Sequence, residues 1–238
     1  MKKVILGIAF LTLLVGASMP AQAGFMTFFG IDNSPGGTVP AGGLANTARN
    51  NFLSNLSGGV GTEDFESFAN GTPTPINLSF PGSSGAITAT LTGSAQVRNL
   101  PVGGRYATSG NNYLDTSTGG GFTIEFSSAI SAFGFFGTDI GDIGGNLVLG
   151  LTNGDNKIIN LNTGGRPNGS LMFWGFTDDM NAYDRITFTN TSTGDAFGFD
   201  DMTVGDAGQV TGVVPEPGSM TIFAALGCIG FIARRRRS

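Results

Sequence analysis

The sequence predicts an all-β protein, a jelly-roll-like β-sandwich of short antiparallel strands. Forty of its 238 residues are glycine, and Asn, Ser and Thr are abundant, which is typical of a chain with many tight turns. Short segments that alternate apolar and polar residues follow one another between these turns. Eight or nine such segments without intervening helices indicate a sandwich or jelly roll.

The alternation is clearest in residues 86–92, where Ile87, Ala89 and Leu91 occupy one face and threonines the other. The other predicted strands are 122–126, 132–137, 146–152, 157–161, 171–176, 185–189 and 197–204. Ahead of the strands, residues 44–56 contain the only stretch with helix-like spacing, which predicts a short helix there.

The N-terminus is predicted to be a signal peptide, residues 1–23. Two lysines precede an apolar stretch from Val4 to Val15, and Ala21-Gln22-Ala23 supplies the small residues that signal peptidase reads. We therefore expect export, with Gly24 as the first residue of the mature chain. An uncleaved N-terminal anchor is the alternative.

The C-terminus carries a second targeting pattern, residues 215–238, in which a short motif and a block of arginines flank an apolar run from Met220 to Ala233. The motif is Pro215, Glu216 and Pro217. The basic block is Arg234, Arg235, Arg236 and Arg237. The run is shorter than the ~20 apolar residues of a comfortable membrane span, and the arginines should stay on the cytoplasmic side as a membrane stop. We expect a hydrophobic helix that enters the membrane transiently and presents the motif outside.

This C-terminal segment closely resembles the PEP-CTERM sorting signal of exported bacterial proteins, which is also labelled the ice-binding protein C-terminal domain. The resemblance implies recognition by an exosortase, an integral-membrane enzyme, in bacteria that typically make exopolysaccharide. The implied partners are signal peptidase, exosortase and, transiently, the membrane. The implied route runs from an inner-membrane intermediate to the cell envelope or extracellular matrix. The alternative is an ordinary tail anchor.

Between the two signals we expect a weakly structured N-terminal extension at 24–61, the β-sandwich domain at 62–208 and a linker at 209–214. The only cysteine, Cys228, lies in the apolar run, so the domain has neither a disulfide nor a thiol nucleophile. Residues 24–214 contain 6 Lys and Arg against 16 Asp and Glu. Such an acidic surface argues against nucleic acid as a partner and favours a cation or a neutral sugar.

The chain contains no histidine. This absence removes Ser-His-Asp and Cys-His triads and most zinc sites. A pair of carboxylates across a cleft could still serve a glycosidase or lyase, but the sequence marks no such pair and no cleft. We therefore expect a protein that is not an enzyme.

Acidic residues lie near both ends of the predicted sandwich, in Phe65-Glu66 and in Asp200-Asp201. Together with the number of strands, they weakly resemble jelly-roll carbohydrate-binding modules, in which the first and last strands lie side by side and a structural calcium joins their carboxylates. The resemblance implies calcium at Glu66, Asp200 and Asp201, since Ca²⁺ prefers oxygen ligands. The alternative is carboxylates that are solvated or hydrogen-bonded by backbone donors.

Ten of the 20 phenylalanines fall in predicted strands, and these are mostly expected in the core. Successive side chains of a strand point to opposite faces, so either Phe173 or Trp174 faces outward. Trp174 is therefore a candidate for stacking on a sugar, with core or edge packing as the alternative.

These observations together predict an exported, noncatalytic β-sandwich that binds exopolysaccharide. The alternatives are a structural matrix protein without a specific ligand and a carboxylate-dependent glycosidase or lyase. An exposed aromatic stripe would favour the first function, a uniformly polar surface the second, and two facing acids in a groove the third.

Overall fold

The computed structural model describes residues 24–211, which form thirteen strands and one helix. The first half comprises β1 (Phe25–Asp32), α1 (Leu44–Ser54), β2 (Gly61–Glu63), β3 (Ile76–Gly82), β4 (Gly85–Gly93), β5 (Ala95–Arg98) and β6 (Tyr113–Thr116). The second half comprises β7 (Phe122–Ile130), β8 (Ala132–Thr138), β9 (Leu147–Thr152), β10 (Asn156–Asn160), β11 (Leu171–Asp178), β12 (Tyr183–Asn190) and β13 (Gly198–Gly205).

The strands form two antiparallel sheets. Sheet A has seven strands in the order β1-β11-β8-β13-β6-β5, with β2 also paired to β13. Sheet B has six strands in the order β10-β9-β12-β7-β4-β3. From β6 onward the chain repeatedly crosses from one sheet to the other, which confirms the predicted jelly-roll-like β-sandwich.

Aromatic side chains from both sheets fill the core between them. In sheet B, the rings of Phe122 and Phe188 stack with their centroids 4.1 Å apart. In sheet A, Phe135 and Phe199 are 5.5 Å apart, and Phe135 also approaches Phe188 of the opposite sheet at 5.4 Å. All four side chains are buried, so the phenylalanine-rich strands act as core strands, as the sequence predicts.

Several parts of the chain cover the outer side of the central strands of sheet A, and over β1, β8 and β11 the covering element is α1. Ala45, Ala48 and Phe52 of the helix form a second apolar cluster with Phe136 and Phe173 of the sheet. The rings of Phe52 and Phe173 have centroids 5.6 Å apart. Strands β8, β11 and β13 consequently have no exposed residue along their length.

Glycines in the central strands make room for the helix. A Cβ atom on Gly134 would lie 2.8 Å from ring atoms of both Phe52 and Phe173. On the neighbouring strand, a Cβ atom on Gly175 would lie 3.1 Å from each of the same two rings. Because Gly134 and Gly175 have no side chains, the ring of Phe52 can lie close to the sheet.

The segment 24–61 differs from the weakly structured extension that the sequence predicts. Its first strand, β1, pairs along its whole length with β11, from Phe25 opposite Asp178 to Asp32 opposite Leu171. The predicted helix is present as α1. Asp32 joins the two elements, because its carboxylate accepts the free N–H groups at the start of α1 from Leu44 at 2.9 Å and Ala45 at 3.0 Å. The sandwich therefore begins at β1.

The predicted signal peptide, the PEP-CTERM segment and Cys228 lie outside the described residues. Within residues 24–211, no helix combines the length and the apolar character that crossing a membrane requires.

The contact between α1 and sheet A predicts a large effect of Phe52→Ala. Removing a fully buried phenylalanine leaves a cavity between two packed layers, and such changes cost about 3–5 kcal/mol. We expect the free energy of unfolding, measured in urea, to fall by this amount. Leu44→Ala is the control, since Leu44 lies on the same helix and is 64% exposed. An equal loss in both variants would contradict this account of the packing.

Candidate functional site

The connection between β5 and β6, residues 99–112, crosses the outer face of sheet A. It lies directly on β13 because Gly198 carries no side chain. A Cβ atom at Gly198 would lie 3.2 Å from Cβ of Arg105 and 3.3 Å from a ring atom of Tyr113. This connection, called the 99–112 loop below, brings together most of the polar side chains of the candidate site.

Two consecutive carboxylates of β13 fasten the 99–112 loop. Asp200 accepts the backbone N–H groups of Thr108 at 2.7 Å and Ser109 at 3.2 Å, and Asp201 accepts the Ser109 hydroxyl at 2.7 Å. Neighbouring side chains of a regular strand could not both reach one loop. Here Asp201 has a φ of 50°, and the pairing with β8 shifts register between Asp200 and Thr203. This β-bulge turns both carboxylates to the same side.

Glu66 holds the end of the same loop. One carboxylate oxygen accepts the backbone N–H groups of Asn111 at 2.6 Å and Asn112 at 2.5 Å. Gly110 has a φ of 53° and lies so close that a Cβ atom there would be 2.5 Å from the Glu66 carboxylate. The carboxylate therefore takes the place that a side chain at Gly110 would occupy.

The structure thus brings Glu66, Asp200 and Asp201 to one loop, as the sequence-based calcium hypothesis requires. Their hydrogen-bond partners, however, are N–H and O–H donors, and a backbone N–H cannot ligate a cation. Among residues 24–211, no three His, Cys, Asp or Glu side chains converge in a way that could hold a metal ion. The arrangement agrees with the alternative, hydrogen-bonded carboxylates, and calcium stays a prediction from sequence.

Asp200 lies in an environment that disfavours its charge. It is 1% exposed, and burial, with a smaller contribution from the nearby Asp201 carboxylate, raises its pKa to about 8. The N–H groups of Thr108, Ser109 and Asp201 act in the opposite direction and do not outweigh burial.

Two arginines share one buried carboxylate at the base of the 99–112 loop. The Nε atoms of Arg98 and Arg105 each lie 2.5 Å from a different oxygen of Asp115. Asp115 is 3% exposed, so both ion pairs are shielded from water on the carboxylate side. The side chain of Arg98 is 40% exposed and that of Arg105 is 15% exposed. We call these three residues the arginine cluster.

An open pocket of about 440 Å³ adjoins the arginine cluster. Arg105, Tyr106 and Pro101 of the 99–112 loop form one wall. Asn168 and Gly169, from the connection between β10 and β11, form another, and the turn after β1 completes the rim. The pocket therefore offers a guanidinium, a carboxamide and apolar ring surface to a bound molecule.

A second open pocket, of about 320 Å³, adjoins the cluster through Asp115. Gln96 and Ser117 add side-chain hydrogen-bonding groups to it, and Pro73 and Thr74 contribute from the segment before β3. Its size is within the range of small-molecule binding sites, as is that of the larger pocket.

A buried carboxylate supports the wall of the larger pocket from behind. Asp139 is 2% exposed, accepts the N–H of Gly169 at 2.8 Å and lies 3.8 Å from a terminal nitrogen of Arg105. Burial raises its pKa to about 7, and the nearby Asp142 adds to the rise, while the Gly169 N–H and Arg105 oppose it. Burial also raises the pKa of Tyr106 above its usual range.

Trp174, the predicted sugar-stacking residue, is 2% exposed and points into the core between the sheets. Its ring lies 6.2 Å from Phe135 and 5.8 Å from Phe176. Phe173 faces the other way, as the alternation requires, but α1 covers it. Stacking on a sugar needs an exposed ring, so Trp174 cannot perform the role that the sequence suggested.

The outer face of sheet B is mostly polar, and none of the other elements between residues 24 and 211 covers it. A row of paired residues crosses all six strands, and its members carry amide, hydroxyl or charged groups. In strand order they are Asn156, Thr152, Arg185, Glu125, Thr90 and Asn77. At the centre of the row, Nε of Arg185 lies 3.0 Å from Glu125. The face is mostly polar, as expected of a structural protein, but it is not uniformly so, because Ile158 of β10 is exposed on the same side as Asn156.

The sequence analysis did not single out Arg98, Arg105, Asp115 or Asn168, and only their positions in the fold bring them together. One signal was nevertheless present. Basic residues are rare in the domain, and two of its six are only seven positions apart, at Arg98 and Arg105.

No family model and no curated protein matches this chain, so the PEP-CTERM resemblance stays a prediction. Several solved structures align with it. A family 61 carbohydrate-binding module in complex with β-1,4-galactotriose is 15% identical, with 60% of this chain and 93% of that chain covered and a TM-score of 0.33. The C-terminal family 22 module of Clostridium thermocellum Xyn10B is 16% identical, with coverage of 64% and 96% and a TM-score of 0.36. The K2 cleaved adhesin domain of Lys-gingipain is 14% identical, with coverage of 61% and 98% and a TM-score of 0.39. At TM-scores below 0.5 these likenesses decide nothing about the ligand.

The buried acids predict that stability falls between about pH 5 and pH 8. An acid whose pKa is higher in the folded than in the unfolded state contributes stability that is complete below its unfolded pKa and is lost as the pH rises through its folded pKa. Asp200, with a folded pKa of about 8, and Asp139, at about 7, both behave in this way. The chain has no histidine to titrate in this window.

We expect the stability of the Asp200→Asn variant to fall less between about pH 5 and pH 8 than that of the wild type. The measurement is the free energy of unfolding in urea at each pH. Asp155→Asn, at an exposed position in the hairpin between β9 and β10, should leave the slope of the wild type unchanged. A wild-type stability that stays constant or rises from about pH 5 to pH 8 would show that Asp200 is ionised throughout.

Proposed function

We propose that this protein is a noncatalytic, polysaccharide-binding β-sandwich, with its binding site at the 99–112 loop on the outer face of sheet A. The observation that carries the proposal is the open pocket of about 440 Å³, which Arg105, Tyr106 and Asn168 line with polar groups. Open concave sites with apolar surface and a few fixed polar groups are the usual ligand sites of proteins.

The chemistry of the pocket suits a molecule rich in hydroxyl groups. The guanidinium of Arg105 donates hydrogen bonds, and the carboxamide of Asn168 both donates and accepts them. Pro101 supplies apolar surface for the C–H groups of a sugar ring. Because the three acids Glu66, Asp200 and Asp201 already hold the loop in place, little conformational freedom is left to lose when a ligand binds.

The same pockets argue against a glycosidase or lyase. Hydrolysis of a glycosidic bond commonly needs two carboxyl groups on either side of the bond. No acidic side chain lines the larger pocket, and Asp115 is the only acid that lines the smaller one. Both oxygens of Asp115 are engaged by arginines, so it cannot act freely as an acid or a base. Binding without catalysis is the better account of this site.

The proposal includes export, which rests on the sequence of the termini. Signal peptidase removes residues 1–23, and the segment 215–238 then enters the inner membrane with its arginines on the cytoplasmic side. An exosortase recognises Pro215, Glu216 and Pro217 and releases the sandwich to the cell envelope or extracellular matrix. In that location, exopolysaccharide is the ligand within reach of the protein.

A structural matrix protein without a specific ligand is the second candidate. The observation that favours it is the outer face of sheet B, where the row from Asn77 to Asn156 presents polar side chains to solvent. The four phenylalanines of this sheet, Phe80, Phe122, Phe126 and Phe188, all belong to the core. This face is hydrophilic and offers no aromatic surface to a sugar.

The proposed site predicts that Asn168→Ala weakens polysaccharide binding. The loss of one uncharged hydrogen bond contributes about 0.5–1.5 kcal/mol, so affinity should fall about two- to tenfold. The measurement is a glycan array with the purified protein, in calcium and again in EDTA, followed by titration calorimetry with the best glycan. Asn51→Ala is the matched control, since Asn51 is an exposed amide on α1 outside both pockets.

The possible results separate the two candidates. Saturable binding that Asn168→Ala weakens and Asn51→Ala does not would support the proposed site. Loss of binding in EDTA would in addition support the calcium prediction. Failure of the wild-type protein to bind any glycan in either condition would overturn the binding function and leave the structural role.

A further inference from the structure

The positive charge at the candidate site is unusual for this protein. Residues 24–214 carry 6 basic and 16 acidic side chains, so a basic residue is normally outnumbered by acids. At the arginine cluster the ratio is reversed, since Arg98 and Arg105 share Asp115. Burial also raises the pKa of the next nearest acid, Asp139, to about 7, which reduces its negative charge near neutral pH.

Asp115 holds both arginines by Nε and leaves the terminal nitrogens of Arg98 available, whereas one terminal nitrogen of Arg105 faces Asp139 at 3.8 Å. The terminal nitrogens of Arg98 make no hydrogen bond with any of the described residues, and its side chain is 40% exposed. A guanidinium held by its inner edge presents its outer N–H groups in a fixed orientation, which is the geometry that a carboxylate recognises.

The cluster lies between the two pockets. Arg105 lines the larger pocket and Asp115 lines the smaller one, and these two side chains are in direct contact. A ligand that fills both pockets would lie across the contact between Arg105 and Asp115, next to Arg98, which lines neither pocket and binds the other oxygen of Asp115. A single sugar would occupy one pocket, whereas a linear chain of sugars can occupy both and place a substituent against the guanidinium groups.

We propose that the ligand is an acidic polysaccharide, a chain that spans both pockets and places a carboxylate of one of its sugars against Arg98 and Arg105. The inference rests on the proposed polysaccharide-binding function and specifies its substrate class. It departs from the preference for a neutral sugar that the overall negative charge suggested, because the local charge at the site differs from the average of the domain.

The test compares two ligands that differ only in the carboxylate. Titration calorimetry with the purified protein uses a hexamer of α-1,4-linked galacturonate and the same hexamer with its carboxylates reduced to alcohols. We expect the acidic hexamer to bind about tenfold more tightly or better, since a charged hydrogen bond contributes about 1.5–3 kcal/mol. It should also bind more tightly than the acidic dimer, which is too short to fill both pockets.

Arg98→Gln should weaken binding of the acidic hexamer much more than binding of the reduced hexamer, so that the preference for the acidic hexamer disappears. Arg185→Gln is the matched control. Arg185 also pairs with a carboxylate through Nε and has a similar side-chain exposure of 47%, but it lies on sheet B. Should Arg98→Gln fail to fold, the wild-type protein provides a second measurement, because added salt should weaken binding of the acidic hexamer much more than that of the reduced one.

The outcomes distinguish this inference from the function on which it rests. Equal affinity for the two hexamers, or an equal effect of Arg98→Gln and Arg185→Gln, would overturn the acidic ligand and leave a neutral polysaccharide as the substrate class. Absence of binding to both hexamers and to every glycan on an array would overturn the polysaccharide-binding function as well.

Discussion

The packing of other elements on the outer face of sheet A is the constraint on which the rest of the structure depends. This face carries Phe136 and Phe173, and large apolar side chains on an exposed sheet would be costly in water. The chain covers these side chains with α1 and crosses the remainder of the face with the 99–112 loop. α1 and the 99–112 loop each require a different feature of the sheet beneath them.

The helix must approach the backbone of the sheet closely, and the loop must find hydrogen-bond acceptors for its N–H groups. Glycines at 134 and 175 allow Phe52 to reach the backbone of the sheet. A loop laid on a sheet, in contrast, brings its own N–H groups out of water, and each must find a partner. Asp200 meets this need for the N–H groups of Thr108 and Ser109, and Glu66 meets it for those of Asn111 and Asn112. Asp201 adds a hydrogen bond from the Ser109 hydroxyl. As a consequence, the carboxyl group of Asp200 is buried and its pKa is raised to about 8.

The binding properties follow from the same arrangement. A loop that carboxylates hold at several points keeps its side chains in one orientation, and a preorganised site loses little freedom on binding. Arg105 and Tyr106 belong to this loop. Asp115 and Asp139 further set the position of Arg105, and the Thr138 hydroxyl accepts the N–H of Tyr106. Within residues 24–211, no such element covers sheet B, and its outer face is a mostly polar surface. The two faces of the sandwich are therefore different in chemistry, although both sheets contribute side chains to the core.

The sequence by itself determined the class of fold and most strands. Segments such as 86–92 and 122–126 alternate apolar and polar residues, and the same alternation appears in the burial of β4 and β7. The four-residue strands β5 and β6 are too short to show a period, and β1 is an edge strand whose burial does not alternate regularly. Their pairing depends on partners that are distant in the chain, which no local pattern reports.

The tertiary structure alone decided the site. Alternation places Phe173 and Trp174 on opposite faces, but only the position of α1 shows that both faces are covered. Alternation also predicts opposite directions for Asp200 and Asp201, and the β-bulge overrides it. The meeting of Arg98 and Arg105 at Asp115 joins side chains from a strand end, a loop and a neighbouring strand. The periodicity of a local sequence indicates the conformation of that one segment. A binding site forms where separate segments pack together, and long-range packing determines which segments meet.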